Sequence, residues 1–273
     1  MAVSAQHPGT KADHGVVIEI GGLPIEVQTN DAGFERLLRN RYGNYVSPRT
    51  ARYSLSVDLT EVGGIDADAD TEVWLEGDEW RMQRGDFRAR WSPAAGQGQV
   101  SQSANPYAID SVLRIVHTLM LADEGGFLLH ASSLVRNGKA FLFAGVSGAG
   151  KTTMARLAPA DVALLTDEAS YVRNLDGHYY AFGTPFAGEL AQPGRNISAP
   201  VAALYLLHKA PENRIEKVDA ATAVASLLRN ILFFAHQPQL VRRVFEAGCA
   251  FVDAIPVSQL SFFPDQRVWD LIG

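Results

Sequence analysis

An α/β architecture, in which a phosphate-loop nucleotide domain follows a smaller β-rich α+β domain, is the fold class that three observations predict. Residues Gly145 to Thr152 read Gly-Val-Ser-Gly-Ala-Gly-Lys-Thr, the pattern G-x-x-x-x-G-K-[ST], between an apolar strand candidate, Ala140 to Ala144, and a short helical stretch, Thr152 to Leu157. From Phe127 onward, strand and helix patterns alternate. Before residue 105 short strand-like runs separated by turn residues dominate, and no chemical constellation is visible there. The division expected is a flexible tail over 1–14, a β-rich domain over 15–105 that recognises a substrate or partner, and a nucleotide-binding domain over 106–273.

Along the first domain, Val16 to Ile20 and Pro24 to Val27 flank Gly21-Gly22 and read as a tight hairpin. Asp31 is placed to cap a helix that carries Phe34, Leu37 and Leu38 on one face. Strands are expected at Tyr53 to Leu59, Glu72 to Leu75, Trp80 to Gln83 and Phe87 to Trp91, with a surface loop over Gly63 to Asp70. Trp74, Trp80 and Trp91 fall in this region and serve either sheet packing or a ligand surface. Ser101 to Asn105, small and polar, reads as a linker.

Pro106 suits a first helical turn, and Ile109, Val112, Leu113, Val116, Leu119 and Met120 recur at helical spacing; this helix introduces the second domain. Phe127 to Val135 and Lys139 to Ala144 are then separated by Asn137-Gly138, a strong hairpin signal because both residues tolerate positive φ. With a two-residue turn Arg136 faces Lys139, and the same register carried along the strands sets His130 opposite Gly145. Val162 to Thr166 ends in Asp167-Glu168; a strand ending there brings the acidic pair towards the phosphate loop. Asp176-Gly177 predicts a second hairpin between Ser170 to Arg173 and His178 to Phe182. Strands at Val201 to His208, Phe251 to Val257 and Leu260 to Phe263 and helices at Asp219 to Arg229 and Pro238 to Ala247 complete the chain.

Composition narrows the class. The 273 residues carry 30 acidic against 24 basic side chains, a balance that points away from a nucleic-acid partner. No apolar run is long enough to span a bilayer, so no membrane partner is expected. One cysteine, Cys249, leaves no internal disulfide framework and suits the cytoplasm. Self-association into a homo-oligomer is left open.

The phosphate loop predicts a nucleoside triphosphate ligand. Its glycines let backbone N–H groups wrap round phosphate oxygens, Lys151 adds a mobile positive charge, and the Thr152 hydroxyl suits Mg²⁺. Asp167 and Glu168 are candidate metal or proton-accepting carboxylates, and Glu189, in Gly183-Thr184-Pro185-Phe186-Ala187-Gly188-Glu189, is a third. His130 joins them through the hairpin register. Arg195, Arg242 and Arg243 are either phosphate clamps or surface arginines. No Asn-Lys-x-Asp segment is present to mark a GTPase.

Three segments, Leu128-Leu129-His130-Ala131-Ser132-Ser133, the loop Gly145 to Thr152, and Leu165-Thr166-Asp167-Glu168, resemble the HPr kinase/phosphorylase family, and more closely its shorter bacterial HPr-serine-kinase-like proteins. The resemblance covers about Phe127 to Gly273 and implies the nucleotide-domain fold shared with phosphoenolpyruvate carboxykinase. It implies that Gly145, Val146, Ser147, Gly148, Ala149, Gly150, Lys151, Thr152 and the adjoining Thr153 bind ATP phosphates. It further implies that Thr152, Asp167 and Glu189 serve Mg²⁺, that His130 orients a carboxylate or phosphate, and that Lys151 stabilises the transferring group. The family's base is the second of two consecutive aspartates; Glu168 stands there, so either Asp167 or Glu168 is the base. The family's later Arg-containing catalytic loop has no counterpart, which argues against reverse phosphorolysis and against HPr as substrate. The activity implied is ATP- and Mg²⁺-dependent transfer of the γ-phosphoryl group to a hydroxyl, serine above all, of a protein or peptide. A nucleotide-binding regulatory module and a small-molecule kinase are the alternatives.

Overall fold

The computed structural model describes residues 13–60 and 70–273. Most of the expected tail and most of the loop from Gly63 to Asp70 therefore lie outside the described residues. His14, assigned to the tail, instead opens the first strand.

Strands β1 (His14–Ile20) and β2 (Leu23–Thr29) form the expected hairpin, with Gly21 at φ 63° and Gly22 at φ 77°. Helix α1 (Ala32–Tyr42) starts where Asp31 accepts a hydrogen bond from the Phe34 N–H at 2.6 Å, and it buries Phe34, Leu38 and Tyr42. A single turn of 3-10 helix, Gly43–Tyr45, follows it. Next come β3 (Tyr53–Leu59), β4 (Glu72–Glu76), β5 (Glu79–Arg84), β6 (Phe87–Ser92) and β7 (Gln97–Gln102). The order β1-β2-β3-β7-β6-β5-β4 makes a seven-stranded sheet, with β3 parallel to both β2 and β7. Ser101 and Gln102, expected in a linker, belong to β7, a central strand of this sheet. The run Gln-Gly-Gln-Val-Ser-Gln carries little apolar signal, yet Val100 and Gln102 are buried once β3 and β6 flank them. Trp80 and Trp91 are core residues, while Trp74 is 42% exposed.

Helix α2 (Pro106–Asp123) is capped by Asn105 and is buried along nearly its whole length. Its apolar residues share one core cluster with α1 and the first sheet, and that cluster reaches Leu128, Ala169 and Tyr171 of the second, together with Phe186 from the segment that follows β12 (His178–Phe182). Asp110 of α2 accepts from Tyr42 Oη at 2.6 Å and pairs with Arg41, tying the two helices together. His117 is buried, with Nδ1 2.9 Å from Tyr171 Oη.

The second sheet contains β8 (Phe127–Arg136), β9 (Lys139–Ala144), β10 (Ala163–Thr166), β11 (Ala169–Leu175), β12 (His178–Phe182), β13 (Ser198–Lys209), β14 (Arg214–Lys217) and β15 (Val257–Phe262). Helix α3 (Lys151–Arg156) follows β9, α4 (Ala220–Asn230) starts at the Asp219 cap, and α5 is Pro238–Ala254. The sheet is mixed. Strand β9 is antiparallel to β8 and parallel to β13, β13 is parallel to β15, and β10 runs antiparallel to β8. One face packs on α4 and α5 through Leu129, Leu142, Leu204, Leu227 and Phe251; the other packs under α3 through Leu134, Phe143, Met154, Phe262 and Trp269.

The strand expected over Phe251 to Val257 is a correction. Phe251 to Ala254 are the last turn of α5, because Leu240, Val244, Ala247 and Phe251 continue one buried helical stripe. Pro256 ends it: Ile255, just before the proline, is extended at φ −115° and ψ 129°. The whole is a mixed α/β protein of two sheets. No helix among the described residues is long and apolar enough to cross a membrane.

Candidate phosphate site

The site starts from the Asn137-Gly138 turn, whose φ angles of 51° and 73° are those of a type I′ hairpin. The pairs Arg136 with Lys139 through Ala131 with Ala144 run without a bulge, and Gly145 leaves β9 immediately beyond the last pair. His130 and Ser132 lie four and two residues before Leu134 on the same strand, and Leu134 lies in the core beneath α3, so all three share the face that carries the loop. Strands β9, β13 and β15 run parallel, and their carboxyl ends meet at the loop: Gly145 borders Leu207, and Gly150 borders Phe262.

Within the loop, Val146, Ser147 and Gly148 are exposed and Ala149 is buried, its N–H bonded to Val146 O at 3.0 Å. Gly150 has φ 113°, and a Cβ there would fall 2.4 Å from Phe262 Cζ. Only glycine fits that close approach. Helix α3 begins at once, with Thr152 and Thr153 half-buried in its first turn. Lys151 is nearly covered, and its Nζ donates to Gly145 O at 3.0 Å, folding over its own loop. Burial pushes the Lys151 ammonium below its usual pKa, while the carboxylates of Glu168 and Glu189 push it back up.

The acidic pair sits in a gap between strands. Thr166 pairs with Ser133 and Ala169 with His130, so Asp167 and Glu168 occupy the two places opposite Ser132 and Ala131. Thr166 Oγ1 accepts from the N–H groups of Glu168 at 3.1 Å and Ala169 at 3.2 Å, turning the chain sharply there. As a result the two acids face different ways. Asp167 is buried, and its oxygens accept from the N–H groups of Gly188 at 2.9 Å and Leu190 at 2.8 Å. Glu168 is half-buried, with Oε1 3.8 Å from His130 Nδ1, within range of charge attraction but beyond a hydrogen bond.

Glu189 is exposed on the turn that Asp167 holds. That turn belongs to the segment from Gly183 to Ile197, which is pinned along β10: Thr184 N–H donates to Leu165 O and Arg195 N–H to Leu164 O. Tyr45 of the first half donates to Gly194 O at 3.0 Å, and the Arg114 guanidinium lies 4.7 Å from the Phe186 ring centre. Arg242 and Arg243 are on α5, paired with Glu246 and Asp123.

Glu168 and Glu189 thus lie within electrostatic reach of Lys151, His130 neighbours Glu168, and Asp167 is buried. Strand β8 separates β10 from β9 and runs antiparallel to both, so β9 and β10 point the same way and the acidic pair leaves the carboxyl end of β10 at the edge of the sheet that carries the loop, as expected. Sequence reasoning missed Ser132, whose Oγ donates to Lys151 O at 3.0 Å, and the Gly188 and Leu190 amides. Ser132 was within reach, since the hairpin register that places His130 places it too. The amides carry no side-chain signal. Among the described residues no group of three or more His, Cys, Asp or Glu converges as a preformed metal centre. Hydroxyl and carboxylate oxygens at Thr152 and Glu189 nonetheless suit Mg²⁺, which takes few protein ligands beside nucleotide phosphates.

Two sheets in a mixed α/β arrangement, with a glycine-rich strand-to-helix loop at the carboxyl ends of parallel strands, define the class. The chain belongs to the SynChlorMet cassette protein ScmC family, whose model matches residues 99–273, from within β7 to the carboxyl terminus. No curated protein matches it. Among solved structures it is similar to the Hpr(Ser) kinase/phosphatase from Coxiella burnetii, at 17% identity over 44% of this chain and 93% of that chain, with a TM-score of 0.23.

Proposed function

We propose that the carboxyl-terminal part of the chain, 106–273, is a phosphate-loop kinase unit of the HPr kinase and phosphoenolpyruvate carboxykinase type. It transfers the γ-phosphoryl group of ATP to a hydroxyl, serine above all, of a protein or peptide. The observation that carries the reading is the glycine-rich loop from Gly145 to Thr153 at the carboxyl ends of the parallel strands β9, β13 and β15, with Lys151 folded over it and Glu168 beside His130 on the neighbouring strands.

In this reading the loop amides and Lys151 bind the phosphates, and Lys151 swings from Gly145 O onto the transferring group. Glu168 accepts the proton of the attacking hydroxyl as its oxygen bonds to phosphorus and the bond to the bridging oxygen breaks, releasing ADP. His130 orients Glu168 from 3.8 Å away. Thr152 and Glu189 would hold Mg²⁺, which supplies charge neutralisation on the phosphates when bound. Asp167, already committed to two amides, acts through the backbone rather than on the substrate.

A nucleotide-binding module without phosphotransfer is the second reading. It is favoured by one observation: Asp167 is spent on loop amides, leaving one acid of the pair open. Incubation with γ-labelled ATP, Mg²⁺ and serine- and threonine-containing peptides tests the first reading, with Lys151→Ala as control. Label on peptide that falls about 10²–10³-fold in the variant supports it. Undiminished transfer by Lys151→Ala overturns the mechanism, and tight ATP binding with no transfer to peptide or metabolite favours the module.

A further inference from the structure

A carboxylate that is 2% exposed and has no ion-pair partner among the described residues needs another source of stabilisation, and Asp167 finds it in backbone. One oxygen accepts from Gly188 N–H and the other from Leu190 N–H, the two residues flanking Glu189. Charge-assisted bonds at both oxygens hold a peptide turn in one orientation better than a neutral acceptor would. Gly188 presses against both acids: a Cβ there would come within 2.9 Å of Asp167 Oδ2 and 3.0 Å of Glu168 Oε2. The turn therefore lies directly on the acidic pair, and Glu189 is the residue it presents.

We propose that Asp167 is a positioning residue, a clasp that holds the Gly188–Leu190 turn so that the Glu189 carboxylate faces the phosphate loop beside Lys151. Glu189, and not Asp167, is then the acid that completes the divalent-cation site with Thr152. The cation part rests on the kinase reading above; the clasp itself does not.

Two measurements on the full chain separate these. Hydrogen exchange of the 188–190 segment reads the clasp: Asp167→Asn, which puts an NH₂ where an amide needs an acceptor, speeds exchange there by tenfold or more and leaves α2 unchanged. Mn²⁺ titration followed by electron paramagnetic resonance, with and without ATP, reads the consequence. Asp167→Asn and Glu189→Gln each weaken Mn²⁺ uptake in the ATP complex by about tenfold, and the double variant is no weaker than Glu189→Gln alone, since residues acting through one another are not additive. ATP binding in excess chelator stays within about twofold in all three. Should Asp167→Asn not fold, Gly188→Ala displaces the same turn from its other side and is expected to reproduce both effects. Losses that add in the double variant make Asp167 a ligand and overturn the proposal, as does unchanged exchange at 188–190 in a folded Asp167→Asn protein. A wild-type protein that takes up no Mn²⁺ with ATP, yet shows faster exchange in Asp167→Asn, overturns the kinase reading and the role of Glu189 while upholding the clasp.

Discussion

Phe262 closes the phosphate loop against Gly150: its Cζ lies 2.4 Å from where a side chain at 150 would begin. The end of β15 is therefore the wall that shapes the loop, and glycine is required there twice over, by that contact and by a φ of 113°. Gly150→Ala is expected to cost about 1–3 kcal/mol of stability, and to weaken ATP binding at least tenfold as the loop shifts. Adding Phe262→Leu should relieve the contact but not the backbone strain, giving partial recovery. Thermal melts and fluorescent-nucleotide titrations check both, and full recovery in the double variant would remove the backbone from the explanation.

The hairpin that places His130 depends on Asn137 and Gly138 holding positive φ. Gly138→Val puts a β-branched residue in a conformation it rarely adopts and should cost about 1–3 kcal/mol, whereas Asn137→Gly should change stability by less than about 1 kcal/mol. Urea denaturation midpoints decide between them. Equal effects from the two substitutions would argue that the turn does not set the register.

His117 makes stability sensitive to acid. Burial, with a smaller contribution from the Arg173 charge, lowers its pKa from 6.5 to about 3, so the folded protein keeps it neutral. As pH falls below the unfolded value, the unfolded chain takes up a proton that the folded one refuses. The stability from this group is complete above about pH 6.5 and is lost progressively towards pH 3, at a slope of at most about 1.4 kcal/mol per unit. Unfolding curves between pH 7 and 5 should fall more steeply for the wild type than for His117→Gln. Parallel slopes would show that other groups set the acid limit.

On the kinase reading, Glu168→Gln should reduce turnover by about 10²–10⁴-fold with nucleotide affinity within about twofold of wild type. Glu168→Asp should recover part of the rate, since it keeps the charge and shortens the reach. Steady-state kinetics with labelled ATP separate turnover from binding. A variant that loses affinity and turnover together would make Glu168 a binding residue and not a base.

Local chemistry in the sequence was enough for much of the fold. The Gly21-Gly22, Asn137-Gly138 and Asp176-Gly177 hairpins and the Asp31 cap appear where turn and cap chemistry places them, because positive φ and side-chain capping are decided within a few residues. Strand β7 was not legible, since Gln-Gly-Gln-Val-Ser-Gln becomes a strand only through the partners on either side of it. The end of α5 is not legible locally, because Phe251 to Val257 is apolar enough for a strand; the buried stripe shared with Leu240 and Val244 decides for helix.

By itself the sequence determined the phosphate loop, the hairpin leading into it and the register that brings His130 to its edge. Those follow from backbone sterics and from side-chain alternation, both of which act locally. The tertiary structure alone decided which acid of the pair is buried and which is open, and that Glu189 arrives on a turn held by Asp167. Consecutive residues diverge there because Thr166 kinks the chain and a segment about twenty residues downstream offers two unpaired amides. A buried carboxylate takes the hydrogen bonds that folding brings within reach, and no local pattern announces where those will be.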